Sequence, residues 1–175
     1  MPRALRTVTF VHVPREDRIL TAINAGHPDA WSCWLTRRLA LAVLERTTDF
    51  ITSSSDLAQR APADFRGEMI AFEREAAIAK TAPAMSTTPP AVLTSTAAAA
   101  ELAERLTISQ HRDAFRFELR GLTDEGVAGL VRRAELQRML RMLQAEIAKA
   151  GWTAAPAKSQ TTPAPAVADT KPARH

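Results

Sequence analysis

The side chains best suited to covalent or metal chemistry in this sequence are one cysteine and four histidines. Cys33 lies between Trp31 and Trp34 in a stretch typical of a buried strand, without the base and the positive surroundings that convert a thiol to a thiolate. No histidine has another plausible ligand three or four residues away on a helix; they are His12, His27, His111 and His175. These positions predict no catalytic residue, no metal site and no cofactor.

The remaining polar motifs do not indicate an enzyme either. The serine run TSSSD at residues 52–56 lacks the G-x-S-x-G context of a hydrolase nucleophile. Acidic pairs occur at Glu16 with Asp17 and at Asp124 with Glu125, in predicted turns where polar residues are common. The sequence also has no glycine-rich loop for phosphate. We therefore expect a protein without catalytic activity.

Two arginine pairs are candidates for an anion site. The segments CWLTRRLALAVLE (residues 33–45) and GLVRRAELQRMLR (residues 129–141) each place a pair at the predicted start of a helix; the pairs are Arg37 with Arg38 and Arg132 with Arg133. A helix N-terminus attracts anions, so a bound phosphate or carboxylate would use the guanidinium groups and the free amide protons. Alternatively, the pairs belong to the surface of a repeated unit, or they pair with Glu45, with Glu135 or with a partner chain.

The segment AFRFELRG at residues 114–121 is the clearest predicted strand, because apolar and charged residues alternate along it. One face carries Phe115, Phe117 and Leu119, and the other carries Arg116, Glu118 and Arg120. A sheet face with arginines is found in single-strand nucleic-acid binders, which also stack bases on aromatic side chains. Here the phenylalanines point away from the arginines and the chain has no tyrosine. A solvated outer face is therefore the first interpretation, with single-stranded nucleic acid as the alternative.

Charge and hydropathy set wider limits. The net charge is +4 and the sequence pI is near 10, but the charge is spread along the chain and no segment is strongly basic. Binding to phosphate usually needs basic side chains concentrated on one surface. The sequence has no apolar stretch long enough for a signal peptide or a membrane span. We expect a cytoplasmic protein that does not bind a membrane.

The predicted strands and helices occur in the same order in two parts of the chain. Residues 1–51 contain predicted strands at 7–13, 18–26 and 30–35, then a helix with Thr36 as its N-cap. Residues 101–152 contain strands at 105–110, 114–121 and 126–131, then a helix with one apolar stripe: Leu136, Leu140, Leu143 and Ile147. The predicted fold class is α+β, with an internal duplication of a βββα unit that forms an antiparallel sheet with helices packed on one face.

Residues 52–100 differ from the two units. They have the composition of a linker, apart from a predicted extra amphipathic helix at about 64–80. Its apolar positions include Phe65, Met69 and Phe72, which we expect to contact the fold or a partner. Residues 153–175 have almost nothing to bury, so the sequence predicts a disordered C-terminal tail.

These features predict a small interaction or accessory module that acts through protein–protein contacts. We expect a protein partner or self-association. The alternative function is binding of single-stranded nucleic acid, with Arg116 and Arg120 on the contacting face.

Overall fold

The computed structural model of the protein describes residues 2–80, 97–111 and 114–152, which form seven strands and four α-helices. The strands are β1 (Arg3–Ala4), β2 (Val8–Val13), β3 (Arg18–Ile23), β4 (Trp31–Thr36), β5 (Glu101–His111), β6 (Ala114–Gly121) and β7 (Gly126–Arg132). The helices are α1 (Arg37–Ser53), α2 (Asp56–Arg60), α3 (Arg66–Lys80) and α4 (Arg133–Lys149), with a 3-10 turn at Ala63–Phe65. The predicted tail at residues 153–175 lies outside the described residues.

All seven strands belong to one sheet in the order β1-β7-β6-β5-β4-β3-β2. Neighbours within β2-β3-β4 and within β5-β6-β7 are antiparallel, whereas β4 pairs with β5 and β1 pairs with β7 in parallel. The expected antiparallel pairing is found within β2-β3-β4 and within β5-β6-β7, whereas the two parallel junctions were not predicted. Parallel neighbours need a long crossover, and the chain from α1 to residue 100 supplies it between β4 and β5.

The N-terminal segment connects the two ends of the sheet. Only residues 5–7 separate β1 from β2, although these strands lie at opposite ends of the sheet order. Four Cα-to-Cα steps span at most about 15 Å, so the sheet must curve strongly. Asn24 holds this segment: its side-chain oxygen accepts from Arg6 N at 2.9 Å and Thr7 N at 3.1 Å, and its amide donates to Ala4 O at 2.7 Å.

Helix α4 lies inside this curve. It contacts β2 as well as β6 and β7, although four strands separate β2 from β7 in the sheet. Leu136 and Leu143 on α4 are each only 1% exposed. At the far end, Glu146 accepts a hydrogen bond from the His12 amide at 2.9 Å, and Trp152 donates to Asp17 at 3.1 Å. The predicted apolar stripe of this helix is thus the centre of the core.

Helices α1 and α4 pack on the same face of the sheet, because side chains of both border a small apolar cavity of about 30 Å³ against Phe117 and Leu119. Helix α3 contacts α4 and α2, and its residue Ile70 is buried. The protein is therefore a mixed α/β fold with a curved sheet, two helices on its inner face and the helix α3 packed against α4.

Candidate functional site

The seam between β4 and β5 is short. These strands pair at only two positions, Cys33 with Glu101 and Trp34 with Leu102. Strand β4 ends at Thr36, whose side chain accepts a hydrogen bond from Leu39 N at 3.3 Å and so caps α1. Strand β5 continues to His111. Among the described residues, no strand pairs with β5 residues 105–111 on the β4 side, and we call this stretch the open edge.

Glu101 fastens the closed end of the seam. Its carboxylate accepts hydrogen bonds from Trp31 Nε1 on β4 at 2.9 Å and from Thr123 N after β6 at 2.9 Å. Desolvation alone would raise the pKa of this carboxyl, but the hydrogen bonds from Thr123 and Trp31 and the charge of Arg3 outweigh it and lower the pKa. A Cβ at position 121 would lie 2.2 Å from the Glu101 side chain, so only glycine at this position leaves space for the Glu101 carboxylate and its hydrogen bonds.

Every second residue of the open edge directs its backbone groups away from β6. His111 pairs with Ala114 across a two-residue connection, which makes them the closing hydrogen-bonded pair of the ladder. The alternation of an antiparallel pair then turns the amide and carbonyl of Leu106, Ile108 and Gln110 toward the β4 side. Seven residues at about 3.3 Å each give an edge of roughly 23 Å.

Helix α1 runs beside the open edge and leaves a groove of about 470 Å³, here named the edge groove. Its volume lies within the range of about 300–1,000 Å³ typical of ligand clefts. One wall is α1 and the other is β5; the lining residues are Leu39, Ala42, Val43, Arg46, Thr47 and Phe50 on α1 and residues 104–108 on β5. The Phe50 ring is fixed by an edge-to-face contact with Phe115 at 5.5 Å between centroids.

Arg133 has a structural role at the end of α1. Its guanidinium donates to Ile51 O at 3.0 Å and to the backbone and hydroxyl oxygens of Ser54. It also lies over the Phe115 ring, 5.3 Å from the centroid, and 3.8 Å from the Glu73 carboxylate. These contacts satisfy carbonyls that a helix C-terminus leaves without partners. The guanidinium of Arg133 is thereby occupied within the fold.

The other predicted arginines do not gather into one site. Arg37 and Arg38 are exposed in the first turn of α1, and Arg132 is exposed at the start of α4. Arg116 is exposed on the outer sheet face. Arg120 lies on the same face, opposite Arg105, and forms ion pairs with Glu118 at 2.7 Å and Asp124 at 3.6 Å. On this face of β5, β6 and β7, the arginines without an ion pair in the described chain are Arg105, Arg116 and Arg132.

The predicted partner-contact residues lie in the 3-10 turn (Phe65) and on α3 (Met69 and Phe72), and they differ in exposure. Phe65 and Phe72 are 51% and 65% exposed, whereas Met69 is half-buried and packs against the core. The two phenylalanines remain candidates for contact with a partner.

Cys33 is fully buried. Burial, with the charge of Glu101 as a smaller cause, raises the pKa of its thiol well above the ordinary value. Within the described ranges, no three His, Cys, Asp or Glu side chains lie close enough together to hold a metal ion. No helix in those ranges is long and apolar enough to cross a membrane.

The edge groove was not predicted from the sequence. The feature that could have indicated it is the difference in length between two neighbouring strands, because β5 with eleven residues extends beyond β4 with six. No family model, curated protein or solved structure matches the chain. The geometry of the groove itself is therefore the basis for a functional conclusion.

Proposed function

We propose that this protein is a non-enzymatic interaction module that binds an extended segment of a partner protein by strand addition to β5. The observation that carries the proposal is the open edge of β5 beside the edge groove, which α1 lines on its other side. An added strand would pair with the backbone groups of Leu106, Ile108 and Gln110, while its side chains contact the α1 wall.

The energetics favour such a ligand. An unpaired strand edge is a template for another chain, and proteins normally cover it, twist it or protect it with charges and proline. Each backbone hydrogen bond to an added strand contributes about 0.5–1.5 kcal/mol net. The half-buried side chains of Leu39, Val43 and Phe50 supply apolar surface that a bound segment would remove from water.

A partner segment fits the open edge better than a second copy of the protein. In each copy α1 lies along this edge, so if the β5 strands of two copies paired, the two α1 helices would have to occupy the same space beside them. A single extended segment needs only the usual spacing of about 4.8 Å between strands. Self-association through other surfaces, such as the exposed Phe65 and Phe72, is compatible with this proposal.

We further propose that the two halves arose by internal duplication of a βββα unit, residues 1–51 and 101–152. Each half contains three antiparallel strands followed by a helix of 17 residues. Helix α1 begins at Arg37, the first arginine of its pair, and α4 begins at Arg133, the second arginine of its pair. Side-by-side placement of two such units accounts for the parallel seam between β4 and β5.

Single-stranded nucleic acid is the competing class of ligand. Its arginine face would consist of Arg105, Arg116, Arg120 and Arg132, of which Arg120 is already ion-paired. The edge groove offers backbone donors and acceptors and an aliphatic wall, which suit a peptide strand better than stacked bases.

Selection from a random nine-residue peptide library, displayed on phage and panned against the full chain, tests the proposal. Selected peptides would be synthesised with fluorescein and titrated by fluorescence polarisation. Ile108→Pro removes an amide that faces the groove, so we expect the affinity to fall by at least about tenfold, or roughly 1.4 kcal/mol. Ile108→Ala is the matched control, because it removes the same side-chain contacts but keeps the amide.

A second variant tests the groove independently, in case Ile108→Pro does not fold. Ala42→Leu places a larger side chain in the groove on a helix that favours leucine, and Ala145→Leu makes the same change on an exposed part of α4. Weaker binding in Ala42→Leu alone would support the groove. Equal affinities in all four variants, or a labelled single-stranded oligonucleotide that binds while no peptide is selected, would refute the proposal.

A further inference from the structure

The edge groove contains charged side chains without partners. Arg46, Arg105 and Glu104 line it, all three are exposed, and within the described chain none of them forms a hydrogen bond or an ion pair. The lining of the groove is therefore positive by one charge. Such unpaired charges favour a ligand of complementary sign.

The strand register places the unpaired charge of Arg105 next to a second positive charge. Arg105 lies directly opposite Arg120 in the β5–β6 pair, and like charges in that relation are unfavourable. Arg120 is compensated by Glu118 and Asp124, whereas Arg105 has no such compensation among the described residues. A carboxylate on the other side of Arg105, where the open edge lies, would relieve the repulsion.

The carboxylates of the described chain do not neutralise these two arginines, and Glu104, which shares the groove lining with them, forms an ion pair with neither. Glu101 is held by Trp31 and Thr123, and Glu118 is held by Arg120. Asp49, one helical turn beyond Arg46 on α1, forms no ion pair with it. The described part of the chain thus leaves both guanidinium groups of the groove to a ligand.

The two faces of β5 then define a pattern for the bound strand. Leu106 and Ile108 share the inner face with Phe117 and Leu119, on the side of α1, and Arg105 and Thr107 lie on the outer face. Side chains of an added strand alternate between the same two faces. Inward positions meet apolar surface and outward positions meet Arg105.

We infer that the partner segment bound in the edge groove is acidic. Its outward positions carry carboxylates that pair with Arg105, its inward positions carry apolar residues, and one carboxylate on the α1 side pairs with Arg46. This inference rests on the proposed function and adds the chemistry of the ligand. A peptide is favoured over another anionic polymer because the ladder of backbone donors and acceptors on β5 lies beside the two charges.

The test repeats the panning of the nine-residue library on the wild-type chain and on the double variant Arg46→Gln/Arg105→Gln. Wild-type protein should select peptides in which apolar residues alternate with Asp or Glu, and the double variant should lose the acidic preference. The control double variant Arg37→Gln/Arg38→Gln removes the same charge from α1 outside the lining of the groove. It should select the same acidic peptides as the wild type.

A direct measurement uses one fluorescein-labelled wild-type-selected peptide and its Asp→Asn analogue. We expect the analogue to bind the wild-type chain about fivefold more weakly, and to bind the groove double variant as well as the parent peptide does. High salt should reduce the difference between the two peptides. Equal loss of affinity in the Arg37→Gln/Arg38→Gln control would overturn the inference, because it would indicate an effect of overall charge.

The failure of this inference differs from the failure of the proposed function. Selected peptides without acidic preference that are still lost in Ile108→Pro would overturn the charge pattern and leave strand addition intact. Panning that selects no peptide from either chain would overturn both. A single-stranded oligodeoxythymidylate that displaces the acidic peptide would overturn the choice of a peptide as the ligand.

Discussion

Helices α1 and α4 have the same length and follow the same order of strands, but they occupy different surroundings. Both contain 17 residues. Six residues of α4 are buried, whereas α1 buries only Ala40, Thr47 and Ile51. Helix α4 lies inside the curve of the sheet, and α1 lies beside the open edge of β5. A similar local pattern therefore yields a core element in one half and a groove wall in the other.

The largest effect should come from truncating α4 in the core. Leu143→Ala removes a side chain that is 1% exposed, so we expect a loss of about 2–5 kcal/mol in the free energy of unfolding. Val43→Ala on α1 should lose less than about 1 kcal/mol, because this half-buried side chain borders the groove. Urea denaturation curves of both variants measure the difference. Losses of equal size would contradict the assignment of α1 as a groove wall.

The second arginines of the two pairs, Arg133 and Arg38, should also differ in their contribution to stability. Arg133→Gln removes hydrogen bonds from a charged group to the end of α1, at a cost of about 1.5–3 kcal/mol. Arg38→Gln changes an exposed residue and should alter the free energy of unfolding by no more than about 0.5 kcal/mol. Thermal denaturation of the two variants provides the measurement. A large loss for Arg38→Gln would mean that both arginines have structural partners.

A smaller, pH-dependent effect is expected where the two halves meet. The pKa of Glu101 is lowered in the folded state, so its stabilisation is full above the ordinary value of 4.5 and is lost as the pH falls through the lower folded value. Glu101→Gln should therefore flatten the decline in stability under acidic conditions, measured by urea denaturation between pH 7 and pH 3. Glu104→Gln, a change of an exposed neighbour without an ion pair in the described chain, is the matched control over the same pH range.

The positions of most strands and helices could be predicted from the sequence because their signals are local. Alternation along residues 114–121 gave the bounds of β6, and Thr36 marked the start of α1. The predicted middle helix at about 64–80 corresponds to α3 at Arg66–Lys80. The tail prediction concerns residues outside the described ranges.

Pairing between distant strands could not be predicted in the same way. The parallel seam depends on contacts between Cys33 and Glu101, whose sequence neighbourhoods carry no common signal. Strand β1 has two residues, too few for a periodic pattern. The role of Arg133 depends on the position of the α1 C-terminus in space, and the open edge depends on the difference in length between β4 and β5.

The N-terminal segment also has a consequence for biosynthesis. Arg3 pairs with Val127, so the first strand leaves the ribosome long before its parallel neighbour has been translated. Contacts between such distant residues carry a high entropic cost and form late. Asn24 can hold residues 4–7 as soon as β3 has emerged, which keeps the segment in place for β7. We therefore expect nascent chains that end before β7 to remain incompletely folded, with the sheet closing only after most of the chain has been synthesised.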